Sequence, residues 1–186
     1  MSFFDSLKSR AAAAPSPAEG KNLTVTLSEI PVSMAQLQAM PEAALTQPEH
    51  TAALVIAALC VYPANKEAAL EMLTFLHGPK GLSVYDKQFI ADRFRDKDYV
   101  PRSYFRGATP ENNYEPAKPY TLDFFENPYS RDQLKDGYLT LHIRSGGADS
   151  PRQIKLRNKP STGQWFLWEQ FLLSDIRKPV SLDPWA

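Results

Sequence analysis

One polar stretch of the chain, residues 93–107, interleaves four arginines with four aromatic residues. Guanidinium groups bind carboxylates and phosphates through paired hydrogen bonds, and they also stack on aromatic rings. We name residues 99–114, which overlap this stretch, the arginine-aromatic loop. The loop is predicted to bind an acidic protein or a small anionic ligand. Its candidate binding residues are Arg102, Tyr104, Arg106 and Tyr114. In the structural alternative, nearby aspartates such as Asp92 pair with the arginines, and the rings attach the loop to the core.

A second group of polar side chains follows from strand alternation. Apolar and polar residues alternate in residues 138–144 and 152–158, which predicts two half-buried strands joined by a glycine-containing turn. The polar residues then share one face of a hairpin. The candidate binding residues on that face are His142, Arg144, Lys155 and Arg157. A basic face of this kind suits an acidic partner, although an ordinary solvated sheet face is polar as well.

An enzyme is the alternative function, but the usual catalytic motifs are absent from the sequence. The eight glycines are scattered and form no phosphate-binding loop, and no Gly-x-Ser-x-Gly stretch occurs. The three histidines fall in separate predicted elements without a second ligand at metal-binding spacing, so neither a metal nor a cofactor is predicted. The alternative is a hydrolase- or transferase-type enzyme with its site at the same loop, using Glu111, His142 or Asp123 as acid or base.

Charge and cysteine content limit the partners and the compartment. With 21 basic and 21 acidic side chains the net charge is zero, which argues against a protein that coats nucleic acid. The apolar run 52–62 is too short to span a membrane and is predicted to be a core helix that buries Cys60, the one cysteine. Because the N-terminal residues also lack the apolar core of a secretory signal, the protein is predicted to be cytoplasmic.

The first half of the chain has helical periodicity. Ser33, Asn65 and Ser83 are each followed by a helical pattern and are predicted to begin three helices. Pro48 is predicted to occupy the first turn of another helix, which runs through Val61. Short connections between these helices favour antiparallel neighbours in one layer.

Strands are predicted before and after this helical block. The predicted strands are residues 22–30, 120–125, 138–144, 152–158 and 164–173. The fold class is therefore α+β, with a helical layer packed on one face of an antiparallel sheet and a C-terminal β-meander. Residues 1–20 are predicted to be a flexible N-terminal segment and linker, and residues 21–186 to form a single α+β domain.

Three stretches carry a resemblance to a known family. They are the helical residues 51–73, the loop residues 99–114 and the C-terminal residues 149–186, which include Ser-Thr-Gly-Gln-Trp-Phe-Leu-Trp-Glu-Gln-Phe and Asp-Pro-Trp-Ala. On these motifs, residues 21–186 resemble an uncharacterised bacterial family, a domain of unknown function of gut-dwelling anaerobes. The resemblance implies a small intracellular bacterial protein, and it assigns no catalytic residues.

Overall fold

Four α-helices and one five-stranded antiparallel sheet make up the part of the chain that the computed structural model describes, residues 20–185. The strands lie in the sheet in chain order. The helices are α1 (Met34–Ala39), α2 (Pro48–Val61), α3 (Lys66–Leu76) and α4 (Val84–Arg93), and the strands are β1 (Asn22–Leu27), β2 (Tyr120–Phe125), β3 (Tyr138–Ile143), β4 (Arg152–Lys159) and β5 (Gln164–Gln170). The predicted α+β fold with a strand meander is confirmed. The predicted N-terminal segment lies outside the described residues apart from Gly20, so the division into a segment and one domain stays a prediction.

The helices begin where the sequence predicts. The side chains of Ser33 and Asn65 each accept a hydrogen bond from the backbone N–H three residues further on. Ser83 forms a reciprocal capping box with Asp86, and Pro48 lies in the first turn of α2. The capping contacts satisfy backbone N–H groups that have no partner within the helix, while proline has no N–H to satisfy.

Helix α2 forms the centre of the core. Residues 51–59 are all buried, because α3 packs on one side of the helix and strands β1 and β5 pack on others. Thr51 Oγ1 donates a 2.7 Å hydrogen bond to the carbonyl of Trp165, which ties α2 to β5. Cys60 follows this buried run and is itself partly buried, and desolvation raises the pKa of its thiol to about 12.

β3 ends one residue earlier than predicted, and β1 and β5 each end three residues earlier, for local reasons. β1 ends at Leu27, which pairs with Tyr120, the first residue of β2. Pro119 precedes Tyr120 and has no N–H to extend the ladder. β5 ends at Gln170, whose side-chain oxygen accepts a 2.8 Å hydrogen bond from the backbone N–H of Leu172. This contact turns the chain away from the sheet.

The β3–β4 hairpin sets the direction of the predicted basic residues. Tyr138 pairs with Arg157, and Thr140 pairs with Lys155. Residues opposite each other in an antiparallel pair project to the same face. These four side chains are half-buried, whereas the leucines and isoleucines between them belong to the core. The basic side chains of β4 therefore lie on the face of the sheet that is turned away from α2.

His77, at the C-terminal end of α3, gives the fold a pH dependence. Burial lowers the pKa of His77 to about 4, and the charge of Lys80 lowers it further while Asp86 opposes the shift. In the unfolded chain the same imidazole has a pKa near 6.5, so the unfolded state takes up protons first as the pH falls. We expect the neutral form of His77 to stabilise the folded state fully above about pH 6.5. This stabilisation should be lost as the pH falls from 6.5 to about 4.

Urea unfolding measured across that pH range tests this expectation. His77→Gln should reduce the dependence between pH 6.5 and about pH 4, because it removes one of the groups whose pKa differs between the folded and the unfolded state. A His77 variant with the same pH profile as the wild-type protein would contradict the assignment.

Candidate functional site

The aromatic residues of the arginine-aromatic loop point into the core. Tyr99 and Tyr114 stack with 5.6 Å between ring centroids, and Tyr104 is also buried. The hydroxyl of Tyr104 donates to the carbonyl of Leu172 at 2.5 Å, and that of Tyr114 donates to the carbonyl of Arg177 at 2.6 Å. Burial raises the pKa of both phenols, that of Tyr114 to about 12. These rings attach the loop to the C-terminal segment. This is the structural role that the sequence offered as the alternative to ligand binding.

The two predicted arginines of this loop have different surroundings. Arg102 is half-buried, and its Nε has no hydrogen-bond partner among the described residues. Arg106 is exposed and forms a two-point ion pair with Asp123 of β2, from Nε at 3.0 Å and from Nη2 at 2.7 Å. Thr24 Oγ1 donates to the same carboxylate at 2.9 Å. The hydrogen bonds from Arg106 are the largest cause that lowers the pKa of Asp123, so this carboxylate is ionised at neutral pH.

The loop is joined to the β3–β4 turn, and both contribute to the lining of an open cavity. The N–H of Gly146 donates to the carbonyl of Ser103 at 2.9 Å, and Ser145 Oγ donates to Ser103 Oγ at 2.8 Å. Beside them lies a cavity of about 670 Å³, referred to as the loop cavity. Its polar lining residues include Asn22, Thr24, Ser103, Arg106, Thr109, Asp123, Arg144 and Ser145. The predicted loop and the predicted hairpin therefore contribute to one site.

Among the described residues, two arginines and one aspartate are the charged groups that line the loop cavity. Arg106 uses two of its five N–H groups on Asp123, which leaves three donors that the ion pair does not use. The Arg144 guanidinium, from the end of β3, lies 5.3 Å from the centroid of the Phe125 ring. Guanidinium groups held in this way are suited to bind a carboxylate or a phosphate, because less side-chain freedom is lost on binding.

His142 lies elsewhere in the structure. It is buried and stacks on Phe125, with 5.6 Å between ring centroids. Its Nε2 is 3.2 Å from Asn127 Nδ2, and its Nδ1 is 3.5 Å from Ser130 Oγ. Burial lowers the pKa of His142, which favours the neutral ring. His142 therefore stabilises the connection between β2 and β3 and does not line the loop cavity.

Lys155 and Arg157 lie at the opposite end of the hairpin from Arg144. Both pack on the ring of Tyr138, with 4.9 Å from Lys155 Nζ and 4.3 Å from Arg157 Cζ to the ring centroid. Arg157 also donates a hydrogen bond to the carbonyl of Asp136. These two basic residues consequently belong to a different part of the surface from the loop cavity.

The eight predicted binding residues thus fall into three places. Those at the loop cavity are Tyr104, Arg106 and Arg144; those on the outer face of β4 are Lys155 and Arg157; those packed within the fold are Arg102, Tyr114 and His142. Sequence reasoning missed Thr24 and Ser145 as lining residues. Alternation in β1 indicates that Thr24 points outward, but no local pattern indicates that β2 and the loop lie beside it.

Neither a metal centre nor a membrane span is formed by residues 20–185. No group of three His, Cys, Asp or Glu side chains in that range is placed to hold a metal ion. None of the helices there is long and apolar enough to cross a membrane.

The β-meander backed by helices, with a polar cavity where the loop meets the sheet, defines a small α+β protein with a candidate ligand site built from loop and hairpin. The chain belongs to the family described as Domain of unknown function (DUF6935), whose model matches residues 29–180. The matched range contains the four helices, strands β2 to β5 and the whole arginine-aromatic loop. No curated protein and no solved structure matches the chain.

Proposed function

We propose that this DUF6935 chain is a non-enzymatic binding module whose loop cavity accepts a carboxylate or phosphate group. The group belongs either to a small anionic ligand or to an acidic side chain of a partner protein. The observation that carries the proposal is the guanidinium of Arg106, which Asp123 orients at the cavity while three of its N–H groups remain outside the ion pair.

The hydrogen-bond donors around the cavity support an anionic ligand. Arg106 lines the cavity with three N–H groups that lie outside its ion pair with Asp123. The side-chain amide of Asn22 supplies a further hydrogen-bond donor at the same space, whereas the hydroxyl protons of Thr24 and Ser145 are used on Asp123 and Ser103. A charge-assisted hydrogen bond to a guanidinium is stronger than one between neutral groups, so the arginines contribute most of the expected affinity.

The state of the acidic and basic groups supports binding rather than acid–base catalysis. A general acid or base needs a pKa near the working pH. The pKa of Asp123 is lowered by Arg106, and His142 bonds to Asn127 and Ser130 away from the cavity. Glu111, the other candidate, is exposed and is not a lining residue of the loop cavity.

We further propose that the protein is bacterial and acts in the cytoplasm. The resemblance of its helical, loop and C-terminal motifs to a bacterial family supports this origin. Its single cysteine, Cys60, cannot form an intramolecular disulfide, which suits a reducing compartment. Fractionation of the source cells tests the location, and recovery outside the cytosolic fraction would contradict it.

Titration calorimetry with inorganic phosphate, citrate and a hexaglutamate peptide tests the binding proposal. We expect at least one of these anions to bind, and Arg106→Gln and Arg144→Gln each to weaken that binding about tenfold, or ~1.4 kcal/mol. Binding of citrate or phosphate alone supports a small ligand, whereas binding of the peptide alone supports an acidic partner protein.

The matched control is Arg95→Gln, which removes the same charge from an exposed arginine paired with Asp92 at 3.1 Å. Arg95 does not line the loop cavity, so its variant should bind like the wild-type protein. Equal weakening in the Arg95 and Arg106 variants would indicate a general charge effect, and that result, like the absence of binding by all three anions, would refute the proposal.

A further inference from the structure

A second cavity lies at the β5 edge of the sheet, between the residues that follow α3 and the end of the β4–β5 hairpin. This edge cavity has a volume of about 260 Å³ and shares no described lining residue with the loop cavity. Three cations line it, Lys80, Arg157 and Lys159, and none of its described lining residues is acidic. The edge cavity is thus more positive than the loop cavity, where Asp123 offsets one arginine.

Two aromatic rings form walls of the edge cavity. Trp168 is held by Lys80, whose Nζ donates to the Trp168 carbonyl at 2.9 Å and lies 4.6 Å from the ring centroid. The edge of this indole meets the ring of Tyr138, with 5.2 Å between centroids. Phe166 packs so closely on Gly78 that a Cβ there would lie 2.4 Å from the phenyl ring. Both rings are therefore fixed before any ligand arrives.

One lining residue of the cavity also has a buried polar atom without a partner among the described residues. His77 is only 7% exposed, and its Nδ1 makes no hydrogen bond within that part of the chain. A buried ring nitrogen of this kind destabilises a protein unless a ligand or water satisfies it. His77 lines the edge cavity together with the two rings and the three cations.

The basic side chains of the edge cavity are also restricted in their orientation. Arg157 stacks on Tyr138 and donates to the carbonyl of Asp136, which fixes the plane of its guanidinium. The plane is fixed by a ring and a neutral carbonyl, so these two contacts do not neutralise its charge. Lys159 is half-buried in the last position of β4, directly opposite Gln164.

From this juxtaposition we infer that the edge cavity binds a small aromatic anion. The ligand's ring packs against Phe166 and Trp168, and its carboxylate or phosphate group binds Arg157 and Lys159. Aromatic faces and cations around one small space recognise this combination of a flat ring with a negative charge. The site is independent of the loop cavity and of the function proposed for it.

Titration calorimetry with 2-naphthoate, 2-naphthyl phosphate and the neutral 2-naphthalenemethanol tests the inference. We expect at least one of the two anions to bind, and the neutral alcohol to bind at least tenfold more weakly than that anion. The tighter of the two anions identifies carboxylate or phosphate as the preferred group. Equal binding of the alcohol, or no binding of either anion at millimolar concentration, would overturn the inference.

Variants separate this site from the other one. Arg157→Gln and Lys159→Gln should each weaken binding of the preferred naphthyl anion at least fivefold, whereas Lys87→Gln, on an exposed lysine of α4, should leave it unchanged. Lys159 lies at the end of its strand, so its variant serves if Arg157→Gln fails to fold. Arg106→Gln should also leave this binding unchanged, so failure at the loop cavity and failure at the edge cavity are distinguishable. Unchanged affinity in the folded Arg157 and Lys159 variants would refute the assignment.

Discussion

Gly146→Ala is expected to lower the free energy of unfolding by about 3 kcal/mol or more. A Cβ at this position would lie 1.9 Å from the carbonyl oxygen of Ala108, and because that atom is backbone it has no rotamer into which to move. The β3–β4 turn would have to separate from the loop, with loss of the hydrogen bond from Gly146 to Ser103. Urea unfolding measures the effect.

The control for this variant is Gly163→Ala, in the turn between β4 and β5. Gly163 has a positive φ of 71°, but a Cβ there would meet no described atom within 4 Å, so only backbone strain of about 1 kcal/mol is expected. Gly147→Ala is a second variant with a close contact in the same turn, because its Cβ would lie 1.9 Å from the Tyr114 hydroxyl oxygen. If Gly146→Ala lowered the free energy of unfolding no more than Gly163→Ala does, this result would contradict the close contact between the turn and the loop.

Opposite changes in anion affinity are expected from the two partners of the ion pair at the loop cavity. Asp123→Asn removes the negative charge beside Arg106 but keeps an amide oxygen that can still accept a hydrogen bond from the guanidinium. It should therefore strengthen binding of citrate or phosphate about tenfold, or ~1.4 kcal/mol. Arg106→Glu places a second carboxylate beside Asp123 and should weaken it about 100-fold, or ~2.7 kcal/mol. Titration calorimetry at constant ionic strength measures both.

These variants test the site with little effect on the fold. Both side chains of the pair are more than half exposed, and an exposed ion pair contributes at most about 1 kcal/mol to stability. Asp149→Asn is the matched control, since Asp149 forms an exposed ion pair with Arg177 at 2.9 Å and does not line the loop cavity. Weaker anion binding by Asp123→Asn would contradict the proposed role of Arg106.

The elements of the fold could be predicted because their signals are local. The caps at Ser33, Asn65 and Ser83 and the alternation in residues 138–144 are each read within a few neighbouring residues. The strand meander followed from the order of these signals along the chain. The ends of the strands were predicted less accurately. β5, for example, ends where the backbone N–H of Leu172 bonds to the side-chain oxygen of Gln170.

The candidate site could be predicted only in part, because long-range pairing decides which side chains remain accessible. The local sequence pattern around an arginine or a tyrosine is the same whether the side chain faces solvent or the core. Tyr114 is buried because it stacks on Tyr99 and reaches the carbonyl of Arg177, 63 residues away in the chain. Arg95 pairs with the nearby Asp92. Arg106 pairs with Asp123, 17 residues away, because the backbone N–H of Arg106 bonds to the carbonyl of Thr121 in β2.

The edge cavity was also beyond sequence reasoning. Lys155 and Arg157 were predicted to share a basic face, yet nothing in the local pattern indicated that Lys80, from the segment after α3, lies against Trp168 of β5. A bulge in the pairing of β4 with β5 at Lys155 and Leu156 shifts the register there. Alternation alone does not predict such a shift.

Mapping the backbone amide shifts of the ¹⁵N-labelled protein during titration with citrate, or with whichever of the three anions binds, tests the central proposal most directly. Binding at the loop cavity predicts that the largest saturable shifts fall in residues 103–109 and 144–146, which line it. Saturable shifts confined to other parts of the chain, or small shifts spread over the whole surface without saturation, would contradict the assignment of the anion site to this cavity.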